Sequence, residues 1–273
     1  MEPSVKHIAL EVRDAGQTAE TEIELAVEEP LEIRVNGEPY AVVMRTPGGE
    51  MELAAGFCLT EGIVDSFSEI LTIGFCADAE GTQNIVNVMT ASVSGAGGAA
   101  ADPRKTSGRR LESRSSCGLC GVSMLEDINK KLIPPASGPR VRAKDLVKMQ
   151  YVMAERQELQ SRTKCAHAAA LVRANGDPVV VREDIGRHNA LDKAIGFALL
   201  NGLDCSDCIA MLSGRISFEM AQKAIRARIP IVAAVSAATA LAAELAERLN
   251  CTLIGRLRGE NMMIYTHPER IIF

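Results

Sequence analysis

From residue 168 onward, short runs of β-branched and small apolar residues alternate with helical patterns, and this alternation leaves few architectures open. Strand-like runs fall at 168–172, 179–181, 208–212, 231–235, 252–257 and 262–266, with helical periodicity at 188–200, 218–226 and 241–249. Asn175-Gly176-Asp177 marks a hairpin between the first two strands. The expected fold class is α/β, a layered sheet with helices packed on it. In open sheets of this kind ligands collect beyond the carboxyl ends of the strands. Those ends here carry Glu183-Asp184-Ile185-Gly186-Arg187-His188-Asn189, then Ser213-Gly214-Arg215, then Ser236, then Arg258-Gly259-Glu260-Asn261. A capped helix start or a surface turn accounts for any one of them. Several at one edge suit phosphate groups, because arginine forks and free helix N-terminal N–H groups bind phosphate oxygens and glycine lets the backbone approach. Among the histidines, His188 beside Arg187 is the functional candidate, whereas His167 in its apolar run reads as a core histidine. There is no G-x-G-x-x-G and no G-x-x-x-x-G-K-[ST], so no dinucleotide fold or nucleotide hydrolase is indicated by motif.

The first half has a different grain. Strand patterns at 23–27, 31–35 and 40–44, with Asn36-Gly37 as a two-residue hairpin signal, predict antiparallel ribbons. A helix is predicted at 50–60 after Thr46-Pro47-Gly48, and strands at 70–77 and 84–90. Residues 91–116 are Gly, Ala, Ser, Arg and Lys with almost no bulky apolar side chains, the composition of a mobile connection. The basic residues Arg104, Lys105, Arg109, Arg110 and Arg114 in it read either as a solvated loop or as an arm leading to a functional group. The expected organisation is therefore a smaller N-terminal α+β domain over 1–93, a linker over 94–116 and an α/β domain over 117–273. After Pro134-Pro135 a longer amphipathic helix is predicted over 143–159.

That last domain opens on Ser116-Cys117-Gly118-Leu119-Cys120-Gly121, followed by Val122, Leu125, Ile128 and Leu132 at helical spacing. Two cysteines at a helix N-terminus favour a thiolate nucleophile. The same C-x-x-C spacing serves a zinc half-site, a disulfide or a dithiol redox couple equally well. Cys205-Ser206-Asp207-Cys208 repeats it and could complete a four-cysteine zinc site, although Cys208 starts a strand that reads as buried. Cys58, Cys76 and Cys251 lie in apolar surroundings and are expected in the core.

The formal net charge of -5 offers no general attraction to nucleic acid or an anionic membrane. No stretch is apolar and long enough to span a bilayer, and residues 1–12 lack a secretory pattern, so a cytoplasmic protein is expected, its cysteines mostly thiols.

Taken together, the motifs resemble the FdhD family of sulfurtransferases, accessory proteins of molybdenum-dependent formate dehydrogenases. The segments that carry the resemblance span nearly the whole chain. They are Arg45-Thr46-Pro47-Gly48 with Gly56-Phe57 and Glu61-Gly62; the Cys117–Cys120 motif; Glu183 to Ala190 with Asp192-Lys193; Ser213-Gly214-Arg215 with Phe218-Glu219; and Arg258-Gly259 with Tyr265-Thr266. The resemblance implies transfer of sulfur, as a cysteine persulfide, from a cysteine desulfurase to the bis-molybdopterin guanine dinucleotide cofactor that a formate dehydrogenase then takes up. It makes Cys117 the persulfide carrier, Cys120 its companion, and Arg256, Leu257, Arg258, Gly259, Glu260 and Asn261 the cofactor-binding stretch. It also implies a cytidine-deaminase-like α/β domain, a homodimer, and GDP as a mimic of the cofactor's nucleotide arms. None of these residues is assigned to a metal. Lys164-Cys165 departs from the small residues the family carries before His167. No H-x-E precedes the cysteines, so zinc-dependent deamination is not expected. A zinc-binding partner module and a dithiol oxidoreductase are the alternatives from other classes.

Overall fold

The computed structural model describes residues 2–12, 17–76, 84–91, 132–135 and 138–273. The linker expected at 94–116, the cysteines Cys117 and Cys120 and the helical pattern over 122–131 lie outside the described residues. In chain order the strands are β1 (Ser4–Val12), β2 (Thr18–Ala26), β3 (Glu29–Val35), β4 (Glu38–Arg45), β5 (Ile70–Phe75), β6 (Ile85–Thr90), β7 (Val141–Arg142), β8 (His167–Arg173), β9 (Pro178–Asp184), β10 (Cys208–Leu212), β11 (Ile231–Ala234), β12 (Thr252–Arg258), β13 (Asn261–Ile264) and β14 (Ile271–Ile272). The α-helices are α1 (Glu50–Thr60), α2 (Ala143–Glu155), α3 (Glu158–Thr163), α4 (Arg187–Leu200), α5 (Phe218–Arg226) and α6 (Ala240–Arg248).

A six-stranded sheet, order β13-β12-β11-β10-β8-β9, carries the second half. β10, β11 and β12 are parallel, and β8 is antiparallel to both β10 and β9. Hence β9 runs with the parallel strands, and the carboxyl ends of β9, β10, β11 and β12 come out at one edge together with the start of β8. β10 and β11 are buried throughout, as continuous apolar runs covered on both faces must be. Period two splits each strand between two cores. Ala210 and Leu212 pack into the core shared with α1, α4, α5 and α6, while Ile209 and Met211 pack against Leu146, Met149 and Met153 of α2. The sheet is thus a middle layer with helices on both sides.

The N-terminal sheet, order β4-β3-β6-β5, puts Leu31, Ile33, Val86 and Val88 into the same core as α4. Its link is the crossing of α1 over α4, where the two backbones touch. A Cβ on Gly56 would lie 1.9 Å from the Asp192 carbonyl oxygen, and one on Gly196 would lie 1.8 Å from that of Glu52. Beneath the crossing, Lys223 donates to both carboxylate oxygens of buried Asp192 at 3.0 and 2.8 Å and to Thr60 Oγ1 at 2.9 Å. Burial works against the Lys223 charge, yet Asp192 and Glu61 more than offset it and hold the ammonium above its ordinary value.

The Asn36-Gly37 turn closes the β3–β4 hairpin with both residues at positive φ, 53° and 86°, as the two-residue signal requires. Two expectations need correction, and one strand lies outside them. The helix expected over 143–159 is two helices, because Gln157 leaves helical geometry at ψ 73° and the Glu183 carboxylate accepts from the Leu159 and Gln160 N–H groups, starting α3 anew. Cys76 is only half-buried, whereas Cys58 and Cys251 are buried. β1 carries no strand signal in the sequence, since Ile8, Leu10 and Val12 share their face with Lys6, and Lys6, Ile8 and Leu10 pair with Glu24, Glu22 and Glu20, so no face is cleanly apolar.

Candidate functional site

The edge is built on a clamp between two distant segments. Asp184, the last residue of β9 and fully buried, accepts from the Thr46 N–H at 3.1 Å, the Gly186 N–H at 2.8 Å and Asn189 Nδ2 at 2.9 Å. Lys193, one turn further along α4, pairs with Asp184 Oδ2 at 2.8 Å and donates to the Thr46 carbonyl at 2.9 Å. Asn189 Nδ2 also reaches the Met44 carbonyl at 2.7 Å, and the Ile185 N–H donates to Thr46 Oγ1 at 3.2 Å. Beside them Arg182 holds Glu52 through two bonds of 2.5 and 2.7 Å, and buried Arg45 holds Glu29 at 2.9 Å and Asn84 at 2.9 Å. The Thr46-Pro47 loop thereby fixes where α4 starts. That start carries Arg187 and His188.

Around it the structure brings together His167, Arg187, His188, Ser213, Gly214, Arg215 and Glu219. His167 Nδ1 is 3.5 Å from Ser213 Oγ, and Ser213 Oγ accepts from the Ala168 N–H at 2.9 Å. A Cβ on Gly214 would sit 3.4 Å from His167 Nδ1 and 3.6 Å from Arg187 Cβ, so the strand end, the histidine and the arginine are in near contact. Burial, then the positive charges of Arg187, His188 and Arg215, hold His167 below its ordinary pKa and keep it neutral near pH 7. His188 Nε2 lies 2.9 Å from Glu219 Oε2, an ion-pair distance off the line a hydrogen bond needs. His188 in turn holds the Glu219 carboxyl below its usual value. Arg187 Nε is buried with no hydrogen-bond partner.

Further along the same edge, Val235, Ser236, Ala237, Arg256 and Arg258 line a cavity of about 320 Å³. Here the backbone is locally distorted. The β12–β13 register shifts between Gly255 and Arg258, Arg256 takes a left-handed φ of 53°, and its N–H donates to the Ser236 carbonyl at 2.9 Å. A bulge of this kind re-aims a side chain, here an exposed arginine beside Ser236. Gly255 allows it, since a Cβ would come within 2.8 Å of both the Ser236 oxygen and Tyr265 Cε2. Leu257 instead is buried in the core under α2, so only its backbone faces the edge. Gly259 and Glu260 form an exposed two-residue turn, and Asn261 is exposed at the start of β13.

The chemistry of this edge is that of an anion receptacle. Among the described residues no carboxylate pairs with Arg187, Arg215, Arg256 or Arg258, in contrast to the cations of the clamp, each of which has one. From β9 to β12 there are four strand spacings, roughly 19 Å, so the two groups of arginines suit an extended ligand with more than one phosphate. Among the described residues no three His, Cys, Asp or Glu side chains converge as a metal site. The strand–helix alternation places Arg187, Arg215 and Arg258 at the edge, and Arg256 enters only through the family resemblance. Both miss His167, whose signal was topological: the first residue of a strand antiparallel to its neighbours comes out at their carboxyl ends.

The residues 26–272 match the model of the FdhD/NarQ family. The chain belongs to that family. Its relatives include the sulfur carrier protein FdhD of Mycolicibacterium paratuberculosis, 43% identical over 94% of this chain and 95% of that one. The protein of the same name from Streptomyces coelicolor is 41% identical over 96% and 93%. A solved structure of a protein assigned as a formate dehydrogenase accessory protein from Desulfotalea psychrophila superposes with a TM-score of 0.79. It is 25% identical and covers 99% of this chain and 100% of the other. All the edge and clamp residues fall inside the family match, whereas β1 and all but the last residue of β2 precede it.

Proposed function

We propose that this FdhD/NarQ protein is a sulfur carrier that loads sulfur on Cys117 as a persulfide and delivers it to a bis-molybdopterin guanine dinucleotide cofactor serving a formate dehydrogenase. The observation that carries the reading is the row of four arginines along the sheet edge that have no carboxylate partner among the described residues, in a family whose relatives are named sulfur carriers. Cys117 and Cys120 are the residues of this chain with thiols at a helix-start motif.

In the loading step the Cys117 thiolate attacks the terminal sulfur of a desulfurase persulfide, and the sulfur–sulfur bond of the donor breaks to release its thiolate. Charge and electrons balance without an added oxidant. The acceptor is a substrate here, and the residues that fit it are those of the edge. Arg187 and Arg215 would hold one group of phosphates and Arg256 and Arg258 another, with Ser236 and the backbone at Gly214 and Gly259 close by. Neutral His167 between Arg187 and Ser213 can take a proton as an anion binds. A cytidine-deaminase-like layering, a homodimer and a cytoplasmic site of action complete the reading. GDP serves as a mimic of the nucleotide arms.

Incubation with a cysteine desulfurase and cysteine, followed by mass spectrometry, tests the loading step. The wild-type protein gains a sulfur on the peptide holding Cys117, and Cys117→Ala gains none. Sulfur gain by Cys117→Ala at the wild-type rate overturns the assignment.

A further inference from the structure

The second C-x-x-C pair lies at the opposite edge of the sheet, where β10 begins, and the site above makes no use of it. Cys205-Ser206-Asp207-Cys208 is a tight turn closed by a bond of 3.0 Å from the Cys208 N–H to the Cys205 carbonyl. A turn of this kind keeps its first and fourth Cα atoms within about 7 Å, and disulfides form across about 4.4–6.8 Å. Asp204 stiffens the approach, accepting from the Ser206 N–H at 2.9 Å and from Ser206 Oγ at 2.6 Å. Cys208 is anchored as the first residue of the buried β10, 1% exposed, while Cys205 precedes the strand at 8%. Opposite Cys208 in register stands Arg173, which pairs with Asp207 and sets a guanidinium beside the two thiols.

The contrast with the other buried cysteines is chemical. Cys58 and Cys251 are buried singly, and loss of solvent pushes each thiol up to about 12, which makes them inert packing groups. Cys205 moves the other way. The Cys208 thiol beside it, together with Arg173, favours its thiolate against the cost of burial, and Cys208 is correspondingly pushed up. One nucleophilic and one resolving thiol in a preformed turn is the arrangement a reversible disulfide requires.

We propose that Cys205 and Cys208 are a dithiol–disulfide redox site, separate from Cys117 and Cys120, that closes in the presence of a peroxide. The Cys205 thiolate attacks a peroxide oxygen, the O–O bond breaks, and a sulfenic acid forms on Cys205 with release of hydroxide. Cys208 sulfur then attacks the Cys205 sulfur, the new S–S bond replaces the S–OH bond, and water leaves with the Cys208 proton. Two thiols lose two electrons and two protons, and one hydrogen peroxide becomes two waters.

Tryptic digestion makes the test direct, because Lys193 and Arg215 bound one peptide, 194–215, that holds both cysteines. The reduced full-length protein is titrated with hydrogen peroxide, denatured in excess alkylating agent and digested. Peptide 194–215 should appear unalkylated and 2 mass units light, revert with dithiothreitol, and fail to form in Cys205→Ser. Exposed Cys165 reports in the same sample that oxidant was present. If peptide 194–215 stays doubly alkylated while Cys165 is oxidised, or if Cys205 stops at a sulfenic or sulfinic acid without closing, the proposal is overturned. The wild-type experiment alone decides this, whatever the folding of the variant.

Discussion

The clamp and the sheet edge meet around residue 186 and have opposite electrostatics. In the clamp, Arg45, Arg182 and Lys193 each have a carboxylate within 3 Å, and Asp184 accepts three hydrogen bonds besides its lysine. At the edge, Arg187 and Arg215 have none among the described residues. A buried charge that serves folding is paired with an opposite one, because an unpaired buried charge is costly. The arginines of the edge have no carboxylate partner among the described residues, which leaves their charge open to an anion. The clamp makes the edge possible, since Thr46 and Asp184 fix the start of α4 and with it Arg187.

Breaking the clamp should therefore cost stability, and the largest loss is expected from Asp184→Ala. It strands Lys193, which is 2% exposed, and leaves the Thr46 and Gly186 N–H groups unpaired. Removing one partner of a buried pair costs about 3–5 kcal/mol, measurable by urea unfolding. A loss under about 1 kcal/mol would show that the clamp is not structural. Next in size is Gly196→Ala, whose Cβ would meet the Glu52 carbonyl at 1.8 Å. Opening the α1–α4 crossing should cost about 1–3 kcal/mol and shift the start of α4, so hydrogen exchange at 185–190 should rise with it. Unchanged exchange there would separate the crossing from the site.

A smaller effect is expected from pH. His167 titrates from 6.5 when unfolded and lower when folded, so the unfolded state takes up the proton first. Its contribution is intact above about pH 6.5 and is lost as pH falls through the lowered folded value. Glu219, also lowered, acts only in a window below 4.5. Stability measured between pH 7.5 and 5.5 should fall in the wild type and flatten in His167→Gln. An equal slope in both would remove His167 from the charged edge.

Much of this was legible in the sequence, and the parts that were not share a cause. Strand–helix alternation located β8 to β12 and the arginines that follow them, because fully apolar strands and glycine-marked turns are local signals. The clamp joins residues 46 and 184, and the role of His167 depends on β8 running antiparallel, facts of topology that no local window carries. The break between α2 and α3 likewise depends on Glu183, which reaches back from another strand. Leu257 looked like part of a binding stretch, yet the bulge that turns Arg256 outward leaves Leu257 in the core.

The central claim is that the unsaturated arginines bind the phosphates of a guanine nucleotide while the sulfur is loaded elsewhere. Calorimetric titration with GDP on wild type, Arg187→Ala, Arg215→Ala and Arg258→Ala, beside the persulfide assay on the same proteins, tests it most directly. A charge-assisted bond to phosphate contributes about 1.5–3 kcal/mol, so each variant should bind GDP roughly ten- to a hundredfold more weakly. Each should keep its stability within about 0.5 kcal/mol and its sulfur loading on Cys117. Unchanged GDP affinity in all three variants would contradict the account and leave these arginines as parts of helix and strand ends with no ligand.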